Sequence, residues 1–314
     1  MTTESAFVAA LRGLATDPAA RGLLDDAAVL EIGGTNLVLS HDMIVEGVHF
    51  LADDPPGDVA WKLVAVNLSD LAAKGARPLG VLLGFSLAGE DEWDRAFVDG
   101  LRLALAAFDL ALLGGDTVSV PKGAPRMLGL TAIGTAERAP SRAGARPGDQ
   151  LWLSGSIGDA GAGLRILKGE SGPPELVERY RQPRPRVELG IALAPLVSAM
   201  MDVSDGLLVD ASRIADASAL ALKIELGDVP LSAAFMEMLG EDRGARMFAT
   251  TAGDDYELLF AADKGRAPEL LALAEGIGIP LSRVGRFDPG SGIRLFDGGQ
   301  EVQLPKRLGY EHFS

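Results

Sequence analysis

The chain contains no cysteine, which excludes disulfide bonds, thiolate zinc sites and a cysteine nucleophile, and which fits a cytoplasmic location. Long apolar runs are also missing. None approaches about 18 residues without a glycine or a charged residue, so no membrane span is predicted. The first residues, Met1 to Ser5, lack a basic segment followed by an apolar one, so we do not expect export.

Basic residues are in the minority, with 29 Lys and Arg against 44 Asp and Glu and a formal charge of −15. Such a surface repels nucleic acid unless it carries a local basic patch. No patch of convincing size is visible, so nucleic acid is not expected as a partner. An anionic substrate would have to be accommodated locally, by metal ions, arginines and backbone amides. The charge could equally serve solubility alone.

The chain is long enough for a large core, since 47% of its 314 residues are hydrophobic, and two domains are predicted. Strands and helices alternate, but turns such as Asp297-Gly298-Gly299 are typical of hairpins. This favours an α+β fold over a purely parallel sheet. Residues 137–149, rich in Arg, Pro and Gly, are expected to connect a domain at 1–138 with a domain at 149–314.

Apolar periodicity and turn residues predict the individual elements. Helices are expected over residues 4–15, 59–75, 91–108, 187–199, 207–218, 231–239 and 266–276, with one more ending near Lys168. Strands are expected over residues 26–31, 36–42, 79–87, 110–113, 127–135, 151–154, 221–226, 256–260, 282–287 and 293–297. Residues 171–186, rich in Pro and Arg, are expected to be irregular at first.

Five short acidic motifs are spread along the chain, most of them where an apolar run meets a turn. They are Leu24-Asp25-Asp26, Ser40-His41-Asp42, Asn67-Leu68-Ser69-Asp70, Gly114-Gly115-Asp116-Thr117 and Asp202-Val203-Ser204-Asp205-Gly206. Two carboxylates about 4 Å apart repel by roughly 4 kcal/mol at an effective dielectric near 20, so a fold that gathered them would need cations. Carboxylate and hydroxyl oxygens suit Mg²⁺ and, through it, phosphate. We therefore predict a phosphate-handling enzyme.

Each motif taken alone also has a structural explanation. The acids at 25–26 are typical of an exposed turn, and residues 114–117 could form an ordinary turn. Asn67, Asp70 and Lys74 fall on one face of a predicted helix, where they could form a narrow solvated stripe. If strands 26–31 and 36–42 pair, however, their acids share one end of a sheet, which favours the metal-binding interpretation.

The predicted strand-to-helix corner at Gly206 is similarly open. Helix N-termini attract anions, so Ser204 could meet a phosphate while the neighbouring acids hold metal. Ser204 or Asp205 could instead cap the helix. The glycines at 158, 161 and 163 match neither a Walker loop nor a dinucleotide fingerprint, and we interpret them as tight strand–helix packing.

Taken together and in this order, the motifs resemble the thiamine-monophosphate kinase family of the aminoimidazole ribonucleotide synthetase-like superfamily. The resemblance runs from about residue 20 to the end. Its strongest segments are Ala65 to Ala73, Leu113 to Thr117, Asp202 to Leu207 and Asp255 to Leu258, and Gly309 to Phe313 is similar to the family's closing motif. The ordered set is highly specific, although each segment alone is weak.

The resemblance implies the activity and the site. The enzyme would move the γ-phosphoryl group of ATP onto thiamine monophosphate, with several Mg²⁺ ions. Metal ligands are implied at Asp26, Ser40, His41, Asp42, Asp70, Asp116, Asp202 and Asp205, of which Asp70, Asp116 and Asp205 would be catalytic. ATP contacts are implied at Gly115, Asp116, Arg142 and Ser204, and thiamine monophosphate contacts at His49, Asp254 and Tyr310. The family fold also implies two α+β domains, with the active site between them, and a homodimer formed by sheet pairing of the N-terminal domain.

The residue inventory agrees with this chemistry. The acceptor is already a phosphate oxygen, so no general base is required, and positioning with charge neutralisation is the whole task. Three positions depart from the family pattern: Leu24 stands for Gly, His41 for Thr and Asp254 for Glu. They motivate one alternative, a superfamily member that uses ATP on another substrate. A second alternative is a non-catalytic protein that keeps the fold and binds nucleotide or metal.

Overall fold

The computed structural model describes residues 4–310, with the side chains of residues 4 and 5 excepted, so the closing segment 311–313 lies outside the described residues. Two mixed sheets organise the fold. The helices are α1 Glu4–Arg12, α2 Pro56–Ala73, α3 Asp91–Ala107, α4 Asp159–Leu167, α5 Pro174–Arg181, α6 Val187–Leu193, α7 Leu207–Ala217, α8 Ala233–Leu239, α9 Arg243–Thr251 and α10 Ala267–Ile277. The strands are β1 Ala28–Ile32, β2 Thr35–Val45, β3 Arg77–Leu87, β4 Ala111–Ser119, β5 Met127–Ala136, β6 Gln150–Ser154, β7 Ala199–Asp202, β8 Leu220–Glu225, β9 Leu258–Ala262, β10 Leu281–Pro289, β11 Gly292–Asp297 and β12 Gln300–Val302.

The first sheet has five strands in the order β1-β2-β5-β3-β4, and only its β3–β4 pair is parallel. The second has seven strands in the order β12-β11-β8-β10-β6-β9-β7, with β8–β11 parallel. Both sheets are therefore mixed, and the predicted α+β class is confirmed. The domain limits 1–138 and 149–314 stay a prediction.

Helix α2 is the central element of the molecule. It contacts β2, β5 and α3 of the N-terminal half, and α6 and β7 of the C-terminal half. From Val59 to Ala73 every residue except Trp61 is buried, as expected for a helix covered on all sides. Two lysines, Lys62 and Lys74, lie among these apolar neighbours with 2% and 0% of their surface exposed.

Several predicted elements need correction. Gly114 to Thr117 are not a turn, because β4 continues to Ser119 as the parallel partner of β3. The segment expected to be irregular contains α5, since a proline in the first helical turn is compatible with a helix. Helix α6 ends at Leu193, well before residue 199. Helix α9, which begins where the Asp242 carboxylate accepts a hydrogen bond from the Ala245 amide (2.9 Å), was not predicted.

The predicted glycine packing is real, but its partners are helices. A Cβ atom on Gly163 would lie 2.0 Å from the carbonyl oxygen of Leu176 in α5, and one on Gly158 would lie 2.7 Å from the Cβ atom of Ala249 in α9. Glycine therefore lets these backbones approach closely. Within the described residues, no helix is long and apolar enough to span a membrane.

Candidate active site

Three carboxylates converge at the junction of the two halves. Asp26 precedes β1, Asp70 lies in α2 and Asp202 ends β7, and one oxygen of each lies within 4.8 Å of the others. We call these three residues the acidic cluster. Asp26 reaches it because β1 pairs antiparallel with β2, the pairing on which the metal-binding interpretation depended.

The acidic cluster is electrostatically unfavourable without cations. Burial raises the pKa of Asp70 well above its ordinary value, and the carboxylates of Asp42, Asp202 and Asp26 raise it further. Burial is the main cause that raises the pKa of Asp202 to about 8, and the Asp26 carboxylate is the second. The hydroxyl groups of Ser40 and Ser69 donate hydrogen bonds to Asp70 and Asp202, the second over 2.6 Å, and offset only part of this cost.

The donor set suits a hard divalent cation. Its members are buried carboxylate oxygens with a neighbouring hydroxyl group at Ser40, and such oxygens are preferred by Mg²⁺ over softer metals. Their mutual repulsion would be relieved by a cation between them. The residues present therefore fit the predicted metal.

Basic residues already contact one side of the acidic cluster. Arg142 donates a hydrogen bond from Nε to Oδ1 of Asp26 over 2.8 Å, and although burial opposes this charge, Asp26 raises the pKa of Arg142 above its ordinary value. The Nζ atom of Lys74 lies 2.7 Å from Oδ2 of Asp26. Arg142, predicted to contact ATP, is thus placed beside the candidate metal ligands.

Strand β2 separates its three predicted ligands between two faces. Ser40 and Asp42 lie on the face that packs on α2, where the Asp42 amide donates to Oδ1 of Asn67 over 2.9 Å. The His41 side chain lies on the opposite, exposed face, with Nδ1 2.9 Å from Oγ1 of Thr131. Within this chain the imidazole therefore does not reach the acidic cluster, because side chains alternate along a strand.

Asp116 also lies away from the acidic cluster. It is on β4, which is the third strand from β2 in the sheet order. At the usual strand spacing, β4 lies about 14 Å from β2. Every residue of β4 is exposed. Gly115 is required where it stands, since a Cβ atom there would lie 1.9 Å from the carbonyl oxygen of Leu83.

A cleft of about 870 Å³ runs between the two halves, beside the acidic cluster. It brings together six predicted site residues, from both halves of the chain. These are Asp42, His49, Ser204, Asp205, Asp254 and Tyr310. The lining of the cleft also includes aromatic side chains and cations, namely Tyr180, Phe248, Tyr256, Arg165, Lys168 and Arg307.

The corner at Gly206 leaves Ser204 available to the cleft. The amides of Asp205 and Gly206 donate to Oδ2 of Asp210 over 3.1 Å each, so Asp210, rather than Ser204 or Asp205, satisfies the start of α7. Asp205 forms an ion pair with Arg213, in which Oδ2 of Asp205 lies 2.7 Å from Nη2 of Arg213.

Asp254 is held from two sides. The Nζ atom of Lys62 donates to Oδ2 of Asp254 over 2.8 Å and to the carbonyl oxygen of His49 over 3.0 Å. The Tyr256 hydroxyl group donates to Oδ1 of Asp254 over 3.0 Å. Lys62 thus connects two predicted substrate contacts, a role that sequence reasoning missed. The signal was a lysine on a helix whose residues are mainly apolar.

Two family models match the chain in succession. The model described as "AIR synthase related protein, N-terminal domain" matches residues 24–136, and that described as "AIR synthase related protein, C-terminal domain" matches residues 146–298. The thiamine-monophosphate kinase of Caulobacter vibrioides is 42% identical over 306 residues, covering 94% of this chain and 86% of that protein. The Escherichia coli K12 enzyme of the same name is 36% identical over 302 residues, covering 93% and 92%.

Solved structures are similar over almost the whole length. A structure described as "AaThiL complexed with AMPPCP and TMP" superposes with a TM-score of 0.86 at 29% identity and covers 99% of this chain and 97% of its own. The thiamine-monophosphate kinase of Stenotrophomonas maltophilia superposes with a TM-score of 0.78 at 38% identity and covers 95% and 96%.

Proposed function

This chain belongs to the thiamine-monophosphate kinase family, and we propose that it uses ATP to phosphorylate thiamine monophosphate. A phosphate oxygen of thiamine monophosphate forms a bond to the γ-phosphorus of ATP. The bond from that phosphorus to the oxygen that bridges it to the β-phosphate breaks. The products are thiamine diphosphate and ADP.

One observation carries the proposal. A single cleft is lined both by the acids next to the acidic cluster and by the three predicted acceptor contacts, His49, Asp254 and Tyr310. Its volume of about 870 Å³ lies within the range of small-molecule sites. One related structure of the same fold holds an ATP analogue, AMPPCP, and TMP. The cleft is therefore suited to hold donor and acceptor together.

We propose Mg²⁺ as the metal, with Asp26, Asp70 and Asp202 as its principal ligands and Ser40, Asp42 and Asp205 as further ligands at the cleft. When bound, Mg²⁺ would neutralise the charge of the polyphosphate and orient it. The protein's own contribution is the positioning of these oxygens by a central helix and by two strand ends. No side chain has to remove a proton, because the acceptor phosphate is largely ionised at neutral pH.

The predicted contacts with ATP stay proposals, at Gly115, Asp116, Arg142 and Ser204. The predicted contacts with thiamine monophosphate also stay proposals. Leu24 is 49% exposed, so its bulk is directed to solvent rather than into the acidic cluster. Asp254 is shorter than the Glu of the family, and its contacts with Lys62 and Tyr256 fix the carboxylate at the cleft. A cytoplasmic location likewise stays a prediction.

We further propose that Asp116 serves the site of a second copy. Within one chain it lies on the far edge strand of the first sheet, and the same strand exposes three large apolar side chains, Leu112, Leu113 and Val118. An unpaired apolar edge favours pairing with another chain. Homodimerisation through this sheet would bury these apolar side chains and place Asp116 next to the partner.

The function is tested by incubating the purified protein with ATP, Mg²⁺ and thiamine monophosphate and by separating the thiamine phosphates chromatographically. Thiamine diphosphate should form in step with ADP, and omission of the acceptor should abolish ADP release. No thiamine diphosphate at millimolar substrates would refute the proposal. Release of ADP with a different acceptor only would indicate another substrate on the same fold.

A further inference from the structure

Lys74 lies at the C-terminal end of α2 with its side chain wholly buried. Its ammonium group is surrounded by four oxygen atoms. It contacts Oδ1 of Asp25, lies 2.7 Å from Oδ2 of Asp26, and donates to the carbonyl oxygens of Pro140 and Met200 over 3.0 Å each. These four residues come from the segment before β1, the connection between the halves, and β7.

This oxygen set is of the kind that holds a hard metal ion. Two carboxylates and two carbonyl groups facing one buried point are typical ligands of Mg²⁺ or Ca²⁺. Here a side-chain cation occupies that point. The Asp25 carboxylate is only 2% exposed and forms ion pairs with Lys74 and with Arg21, over 2.5 Å and 2.7 Å.

The position matters because Asp26 belongs both to this arrangement and to the acidic cluster. One of its oxygens faces Lys74 and the other faces Arg142. Asp70 and Asp202, by contrast, have hydroxyl groups as their hydrogen-bond donors. The cationic groups next to the acidic cluster, Lys74 and Arg142, therefore both contact Asp26.

We infer that Lys74 is a resident cation, which takes the place of one divalent ion at Asp25 and Asp26 and holds Asp26 in position for the acidic cluster. This rests on the proposed binding of divalent cations at that cluster. Lys74 is a positioning residue: it contacts a metal ligand rather than the substrates. Removing its side chain should expose four oxygens that can bind an additional ion.

The test compares the wild-type protein with Lys74→Ala in a Mn²⁺ titration followed by electron paramagnetic resonance. Lys74→Ala should bind one more Mn²⁺ per chain than the wild type. Its melting temperature should fall by several degrees in EDTA and recover in millimolar Mg²⁺. Lys62→Ala is the matched control, because it removes the other buried lysine of α2; it should gain no Mn²⁺ and no recovery by Mg²⁺. An unchanged Mn²⁺ count in Lys74→Ala, with no recovery by Mg²⁺, would overturn the inference.

A charge-balanced variant keeps the test decisive if Lys74→Ala does not fold. Asp25→Asn combined with Lys74→Ala removes one charge of each sign, so it should fold in EDTA and depend less on Mg²⁺ than Lys74→Ala. If the double variant is as unstable as the single one, Lys74 acts by packing and the inference fails. The thiamine diphosphate assay on wild-type protein tests the proposed function separately. If the wild type is active and Lys74→Ala binds no extra Mn²⁺, only the inference about Lys74 is wrong.

Discussion

At the scale of single residues, the acidic cluster is built at the expense of stability. Asp70 and Asp202 are almost fully buried, and their raised pKa values show that the charged forms are disfavoured. Natural proteins accept such local costs at functional sites. The cluster can thus be tested through two opposite effects, loss of activity and gain of stability.

Asp70→Asn should lower kcat at least about 100-fold, since one carboxylate of the phosphate-handling site is lost. In EDTA the same variant should melt at a higher temperature than the wild type, because a repulsive buried charge is gone. Steady-state kinetics and thermal melting measure both. Asp99→Asn, which alters a carboxylate that is 68% exposed on α3, serves as the control and should change neither. Full activity in Asp70→Asn would contradict the metal-ligand assignment.

The raised pKa of Asp202 predicts that the stability of the metal-free protein depends on pH. Because burial raises its pKa to about 8, the folded state keeps a proton that the unfolded chain loses near pH 4. Its contribution to stability is complete below about pH 4 and is lost as the pH rises towards 8, at up to about 1.4 kcal/mol per pH unit. Urea denaturation in EDTA at several pH values from 6 to 8 should show this fall. Asp202→Asn should reduce the slope, and equal slopes would count against the burial argument.

Lys62 gives a prediction for the acceptor side. Lys62→Met should raise KM for thiamine monophosphate about tenfold, equivalent to about 1.4 kcal/mol, because Asp254 and the His49 carbonyl oxygen lose their shared donor. The KM for ATP should change much less. Lys264→Met, at an exposed position, is the control. Equal increases of both KM values would show a general loss of structure instead.

At the scale of elements, α2 joins the two halves of the molecule through close backbone contacts. Gly190 in α6 lies so near to α2 that a Cβ atom there would be 2.0 Å from the carbonyl oxygen of Ala72. Two residues of α2 that belong to the site, Asp70 and Lys74, lie within one turn of this contact. The spacing of the helices and the geometry of the acidic cluster are therefore coupled.

Gly190→Ala should lower the free energy of unfolding by about 1–3 kcal/mol, since the added methyl group forces α6 away from α2. Activity should fall as well, because the cluster is assembled across that contact. Gly276→Ala in α10 is a matched control, as nothing lies within 4 Å of a Cβ atom there, and alanine favours a helix. Chemical denaturation and the kinase assay provide the readouts. Identical effects of the two substitutions would disprove the close-approach argument.

At the scale of the whole molecule, substitution of Asp116 can show whether the active site is built by one chain or shared by two. Mixing inactive Asp116→Asn and Asp70→Asn proteins should restore up to about a quarter of the wild-type activity. In a mixed dimer, one of the two sites would then have both intact residues. The mixture is unfolded and refolded together before assay, with each variant refolded alone as the control. No restored activity, with mixed dimers demonstrated by differently tagged chains, would place Asp116 in the site of its own chain.

Much of the site was accessible from the sequence because the motifs are local. Asp26 lies just before β1, Asp202 ends β7, Ser204 lies just before α7 and Asp254 lies between α9 and β9, whereas Asp70 lies within α2. Helix α5 and the strand through Gly115 escaped prediction. In α5 a proline lies in the first helical turn, where a helix tolerates it, and in β4 the glycine at 115 allows a close approach to Leu83 of β3. Lys62 and Lys74 were visible as basic residues among mainly apolar neighbours, but their roles depended on which carboxylates and carbonyl groups they contact.

The chain by itself determined the chemistry that is available: hard oxygen ligands, no thiols, and an ordered series of acidic motifs. These are properties of residue type and short spacing, which no folding step changes. Only the tertiary structure decided which residues meet. Tertiary packing around α2 brings Asp26 to Asp70 and Asp202, strand order carries Asp116 to the opposite edge of the first sheet, and strand pleating turns His41 away from Asp42. The physical reason is that a sheet positions side chains by register and face, and both are set by long-range pairing.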